Sequence, residues 1–142
     1  MTNDTRGTED FPLAEKRPDL IRSQGGRSLD ELTLDAVDAG EVTLDDLRIT
    51  PDALMLQAEV ARDAGREALA DNFERAAEMT AIPQPVIMEI YELLRPGRAP
   101  SKDKLMEAAD MLRTRYGAER MATFITEAAD VYEQRGLFTF RF

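Results

Sequence analysis

Two carboxylate pairs stand at helical spacing in this chain: Glu89 with Glu92, and Glu127 with Asp130. Residues three apart share a helix face, so each pair could in principle divide acid and base duties in a hydrolase. That chemistry needs a fixed separation and a partly dry cleft, with one carboxyl held protonated by burial or a like charge. Pairs of this kind are also what an exposed helix face routinely shows. A further acidic group, Asp30-Glu31 with Asp35 and Asp38, lacks the glycine-bearing loop of alternating ligands that holds calcium. Gly25-Gly26 has neither a preceding strand nor the lysine context that cradles phosphate, and reads as a hinge or turn. The sequence contains no histidine and no cysteine. Imidazole and thiolate metal ligands, cysteine nucleophiles, disulfides and His-based triads are thereby excluded. The expectation is that the chain has no catalytic, cofactor-binding or metal-binding residues of its own.

With 142 residues the chain suits one domain. Leu, Ile, Val and Phe number only 32 and alanine carries much of the hydrophobic share, so the core is thin and a partner surface is expected to help. The formal charge of −10 opposes nucleic-acid binding. Between residues 28 and 47 stand Asp30, Glu31, Asp35, Asp38, Glu41, Asp45 and Asp46 with no base. No apolar run approaches a membrane span, and Met1 to Asp10 is polar rather than a basic segment followed by an apolar one. A cytoplasmic protein is expected.

The elements that must carry these residues are helical. Residues 1–27, with Pro12, Pro18, Gly7, Gly25 and Gly26, show no sustained period and read as an extended arm with apolar anchors at Phe11, Leu13, Leu20 and Ile21. Residues 28–142 form the helical domain. Ser28-x-x-Glu31 is a capping box opening a short helical stretch that ends by Gly40, and Thr43 caps a second. Thr50-Pro51-Asp52 is a stronger start, leading a stripe of Leu54, Ala58, Ala61, Gly65 and Ala68, with Gly65 as the break. A helix over about 66–81 carries Leu69, Phe73, Ala76, Ala77 and Thr80, Phe73 being a mid-helix core position. Another holds Val86 to Leu94 and stops at Arg95-Pro96-Gly97. Ser101 caps a fourth, with Leu105, Ala108, Ala109, Leu112 and Tyr116 on one face and Gly117 at its end. The fifth, 118–135, has the stripe Met121, Phe124, Ile125, Ala128, Val131 and Tyr132. An alternating tail, Leu137 to Phe142, pairs as an edge or buries in a neighbour. The fold class is all-α: about five main helices in an irregular bundle, with an extended N-terminal arm and short N-terminal helices.

Paired helix starts spaced 34 and 33 apart invite comparison with tetratricopeptide repeats, but Asp71 and Arg75 occupy positions where that repeat places alanine and a large apolar residue. On residue types alone, a free-standing helical adaptor, a scaffold subunit and a carboxylate hydrolase all remain open.

Several stretches in order shift that balance. Phe11-Pro-Leu-Ala-Glu-Lys-Arg-Pro-Asp-Leu20, Leu32-Thr-Leu-Asp-Ala-Val37, Gly40-Glu-Val-Thr-Leu-Asp-Asp-Leu-Arg-Ile-Thr50, Asn72-Phe-Glu-Arg-Ala-Ala-Glu-Met-Thr-Ala-Ile-Pro83 and Glu89-Ile-Tyr-Glu-Leu-Leu-Arg-Pro96 together resemble the small (gamma) subunit of adenosylcobalamin-dependent diol and glycerol dehydratases. The sequence departs from the family at Gln84-Pro85, where members place an acidic cap, and in its aromatic tail. The resemblance implies a non-catalytic chain in a complex that converts a 1,2-diol or glycerol to an aldehyde plus water by radical chemistry. It implies large and medium subunits as partners, in a heterohexamer with two copies of each chain. Adenosylcobalamin then lies between those other subunits, and substrate lies in the large one. Phe11, Pro12 and Leu13 are expected as partner anchors with Arg17 and Pro18 fixing their path, and Arg48 and Ile49 as a second contact. Preference between propanediol and glycerol, and enclosure in a bacterial microcompartment, are left open.

Overall fold

The structure is a computed structural model and describes residues 5–138. Thr139 to Phe142, most of the aromatic tail, and Met1 to Asp4 lie outside the described residues. Among the described residues the chain is helical, with one isolated bridge between Arg22 and Ser28 and no strand. The main helices are α3 (Pro51–Asp63), α4 (Glu67–Met79), α5 (Gln84–Leu94), α6 (Lys102–Tyr116) and α7 (Glu119–Gln134), preceded by two short ones, α1 (Leu13–Lys16) and α2 (Leu34–Asp38). Single 3-10 turns cover Thr8–Asp10, Pro18–Leu20, Leu29–Glu31 and Leu44–Leu47. The chain divides into two compact units, residues 1–80 and 81–142.

In the first unit, α3 starts where local chemistry dictates. The Thr50 hydroxyl accepts the Ala53 N–H at 3.1 Å, Pro51 occupies the first turn, and Asp52 meets the positive helix end. The helix stops at Asp63, and Gly65 takes the left-handed conformation with φ 72°. The chain then returns as α4. The two helices meet through Ala58, Ala61 and Ala70, with Leu69 and Phe73 half-buried at the side. Alanine on both faces lets the backbones approach closely, which is how a chain poor in large apolar residues still builds a dry interface. Arg62 fastens the hairpin by pairing with Glu67, Asp71 and Glu74 at 3.0, 3.1 and 2.8 Å. Ala68, expected on the α3 stripe, is exposed on α4, and the buried residue beside Ala61 is Val60.

The N-terminal segment runs as short turns laid on α3. The Arg6 N–H donates to the Glu59 carboxylate at 2.9 Å and the Thr8 N–H to Asp63 at 2.7 Å. The acidic face of α3 thereby satisfies backbone donors that a loose leader would leave to water.

The second unit centres on α6 and α7. Ser101 caps α6 by accepting the Lys104 N–H, and Gly117, at φ 62°, ends it in the left-handed conformation. Leu105, Leu112 and Ile125 are fully buried, with Ala108, Ala109, Ala122 and Ala129 packed among them. Lys102, at the start of α6, reaches Asp130 and Glu133, near the end of α7, at 2.8 and 2.6 Å, so the helices run antiparallel. The Tyr132 hydroxyl donates to the Leu94 carbonyl and ties in the end of α5. The expected α7 stripe is rotated. Met121 and Ile125 are buried as expected, but Ala122 and Ala129 share their face while Phe124 and Val131 turn outward.

Candidate partner-docking groove

The sequence-predicted anchors come from two segments far apart in the chain, and most of them meet. Phe11, Pro12 and Leu13 form one wall of an open groove of about 390 Å3, and Leu47, Arg48 and Ile49 form another. Ile21, Leu29 and Leu32 also line it, as do Ala53 and Gln57 of α3. Phe11 is 59% exposed and Ile49 53%, whereas Leu13 is only 4% exposed. The first two side chains are therefore available to an outside surface, and Leu13 holds the wall in place from within.

Arg17 and Pro18 do not line the groove. Arg17 pairs with Asp19 at 3.0 Å and Asp10 at 3.4 Å, and Pro18 opens the next turn. The hydrogen bonds it donates to the Asp19 carboxylate raise the Arg17 guanidinium well above its ordinary value, and Arg17 in return lowers the Asp19 carboxyl.

The second wall is positioned by Asp46, one of two buried polar side chains among the described residues, the other being Ser23. One Asp46 carboxylate oxygen accepts the Ser23 hydroxyl at 2.7 Å and the Gly25 N–H at 3.2 Å, and the other accepts the Thr43 N–H at 3.1 Å. The Ser23 oxygen itself accepts the Arg27 N–H at 3.0 Å. A buried carboxylate surrounded by donors is held ionised. The Ser23 hydroxyl chiefly, then the Thr43 N–H, keep Asp46 below the ordinary 3.8 against the opposing effect of burial. Gly25-Gly26 is thus a turn whose tightness has a local cause. A Cβ at Gly25 would lie 2.7 Å from the Asp46 oxygen, and Gly26 adopts φ 82°. Beyond this turn Ser28 and Glu31 form the expected capping box, the carboxylate accepting the Ser28 N–H at 2.7 Å.

The residues that could have done chemistry are not assembled for it. Glu89 and Glu92 are exposed, Glu92 pairing with Arg95 at 3.2 Å. Glu127 is exposed and Asp130 is engaged with Lys102. Among the described residues no group of metal-ligating side chains forms and no helix is long and apolar enough to cross a membrane. Hydrophobic residues missed by the sequence reading are Leu34, Val37, Leu44 and Leu47, all exposed. The acids between them drew attention first, and the signal that could have found them is the shortness of their elements, which cannot bury residues on more than one face.

Among the described residues the chain is helical, presents an open groove lined largely by apolar side chains, and uses several of its acids in caps and ion pairs. The family model for dehydratase small subunits matches residues 7–139, and the chain belongs to that family. The propanediol dehydratase small subunit of Citrobacter freundii is 50% identical over 131 residues, covering 92% of this chain and 76% of the relative. The same subunit from Salmonella typhimurium is 47% identical over 134 residues, covering 94% and 77%. The family expected from the ordered segments Phe11–Leu20 through Glu89–Pro96 is the family found.

Proposed function

We propose that this chain is the small, non-catalytic subunit of a propanediol or glycerol dehydratase complex, which converts a 1,2-diol or glycerol to an aldehyde and water. The observation that carries the reading is the convergence of Phe11-Pro12-Leu13 and Arg48-Ile49 on one groove in a chain of this family. The partners are the large and medium subunits, two copies of each with two of this chain. Arg48 and Ile49 touch the large subunit beside Phe11 and Pro12, while Leu13, Arg17 and Pro18 keep that contact in register. Residues 1–27 act as the partner-binding arm and residues 28–142 as the helical domain. The complex works in the cytoplasm.

The cofactor of such a complex is adenosylcobalamin, which supplies the radical that starts the reaction. This chain's donor set does not fit it: no imidazole or thiolate exists to reach cobalt, and the groove's walls are mainly aliphatic. The other subunits hold the cofactor, and no chemical step passes through this chain. Its contribution is burial of apolar surface on its partner.

The test is co-purification of the dehydratase subunits with Phe11→Ala plus Ile49→Ser. Both side chains are exposed in the chain alone, so the variant keeps its helical circular dichroism. Two apolar anchors lost from the centre of an interface cost about tenfold or more in retained subunit. Recovery at the wild-type ratio refutes the proposal.

A further inference from the structure

The span 34–49 combines two properties, a run of exposed apolar side chains and a run of acids with almost no basic company. Leu34 is 84% exposed, Leu44 77%, Leu47 61%, and Val37 and Ile49 are also exposed. Single surface hydrophobes need no explanation, but five within one short span are a concentration of uncovered apolar surface. The elements explain how they come to be uncovered. α2 has five residues and the Leu44–Leu47 turn four. Each is pinned from one side only, α2 by Ala36 and the Thr33 cap, the turn by Asp46. The remaining residues face out.

Charge is the second property. Elsewhere cations lie among the acids, Arg62 serving three on α4, Lys102 two on α7 and Arg113 one, Glu119, whereas residues 28–47 hold seven acids and no base. Asp30, Asp35, Asp38 and Glu41 form no ion pair among the described residues, and Asp45 pairs only with Arg48, which is itself exposed. A purely solvated face would carry these acids without leucine tips, and a second copy of the same strip would bring like charges together.

We propose that residues 34–49 are a second docking strip, whose occupant is an apolar surface set among arginine or lysine side chains on the same dehydratase subunit that fills the groove. Continuity supports one occupant, because Leu47 and Ile49 belong both to the strip and to the groove wall. The inference rests on the small-subunit reading and adds to it the chemistry of the partner surface. The carboxylates steer the encounter and the leucines hold it, since long-range charge acts mainly on association and buried contact on dissociation.

The experiment measures capture of the full chain by the purified partner subunits across roughly 0.05 to 0.5 M NaCl, a range over which surface charge is progressively screened. Wild-type association slows with salt. Asp35→Asn, Asp38→Asn and Glu41→Gln together slow association about tenfold at low salt and flatten the salt dependence. Leu34→Ser with Leu44→Ser leaves association unchanged and speeds dissociation about tenfold. Normal capture that ignores salt and both variants overturns the strip while leaving the small-subunit reading intact. Absence of wild-type capture overturns both. Self-association of the wild-type chain that the leucine variant abolishes, with capture unaffected, also overturns the strip by making a second copy its occupant.

Discussion

Leu112→Ala is the substitution that tests the packing account most sharply. Leu112 of α6 is completely buried, and the other buried residues of α6 and α7 are Leu105, Met121, Ile125 and four alanines. Alanine side chains cannot swing into a vacated space, so the cavity persists and the cost lies near the upper part of the range for buried leucines, about 3 to 5 kcal/mol. In a chain of this length each kcal/mol moves the melting temperature by about 2 to 4 °C, so a loss of roughly 10 °C is expected. The matched control is Phe73→Ala. A fully buried phenylalanine costs about 3 to 5 kcal/mol, but Phe73 is only half-buried beside the Ala58, Ala61 and Ala70 cluster, which reduces the expectation to about 2 kcal/mol. Urea unfolding of the purified full chain, followed by far-ultraviolet circular dichroism, measures both. A Leu112→Ala cost below about 1 kcal/mol, or a Phe73→Ala cost that equals it, would refute the reasoning that small side chains set the packing here.

Asp46 gives a pH prediction. Its folded-state pKa lies below the ordinary 3.8 because donors surround it, so its stabilising effect is present above that value and is lost as pH falls through the folded value; amide exchange over residues 23–48 should rise there, and Asp46→Asn should raise it already at neutral pH and remove this acid-dependent step. Gly25→Ala drives a methyl group to within 2.7 Å of the Asp46 oxygen, and is expected to weaken partner capture in pull-down while leaving the α6 and α7 exchange protection unchanged. Thr50→Ala removes the acceptor for the Ala53 N–H and should lower stability by about 1 kcal/mol in urea titration.

The elements with chemical punctuation were readable from sequence. Thr50-Pro51-Asp52, Gly65, Ser101 and Gly117 fix helix ends through side-chain acceptors and left-handed glycines, interactions that act within a few residues. Packing was less readable because it rests on alanine. A stripe assigned by bulk placed Phe124 and Val131 inside α7, whereas the interface selects Ala122 and Ala129 for close approach. Near the N-terminus, Ser28 opens only a 3-10 turn, because Thr33 supplies a competing cap and starts α2 afresh, its hydroxyl accepting the Ala36 N–H at 3.1 Å. For the groove, sequence supplied Phe11, Pro12, Leu13, Arg48 and Ile49 but not their meeting, which depends on the Asp46 bonds to Ser23 and Gly25, more than twenty residues away in the chain. A lone aspartate within an acidic run carries no mark of that task.

Reconstitution of the dehydratase from its separate subunits, with and without this chain, bears most directly on the central claim. The scaffold account predicts that the chain alone turns over no diol, and that the remaining subunits, cofactor supplied, yield an assembly of reduced integrity until the full chain is returned. Equal turnover and an equally durable complex in its absence would contradict it.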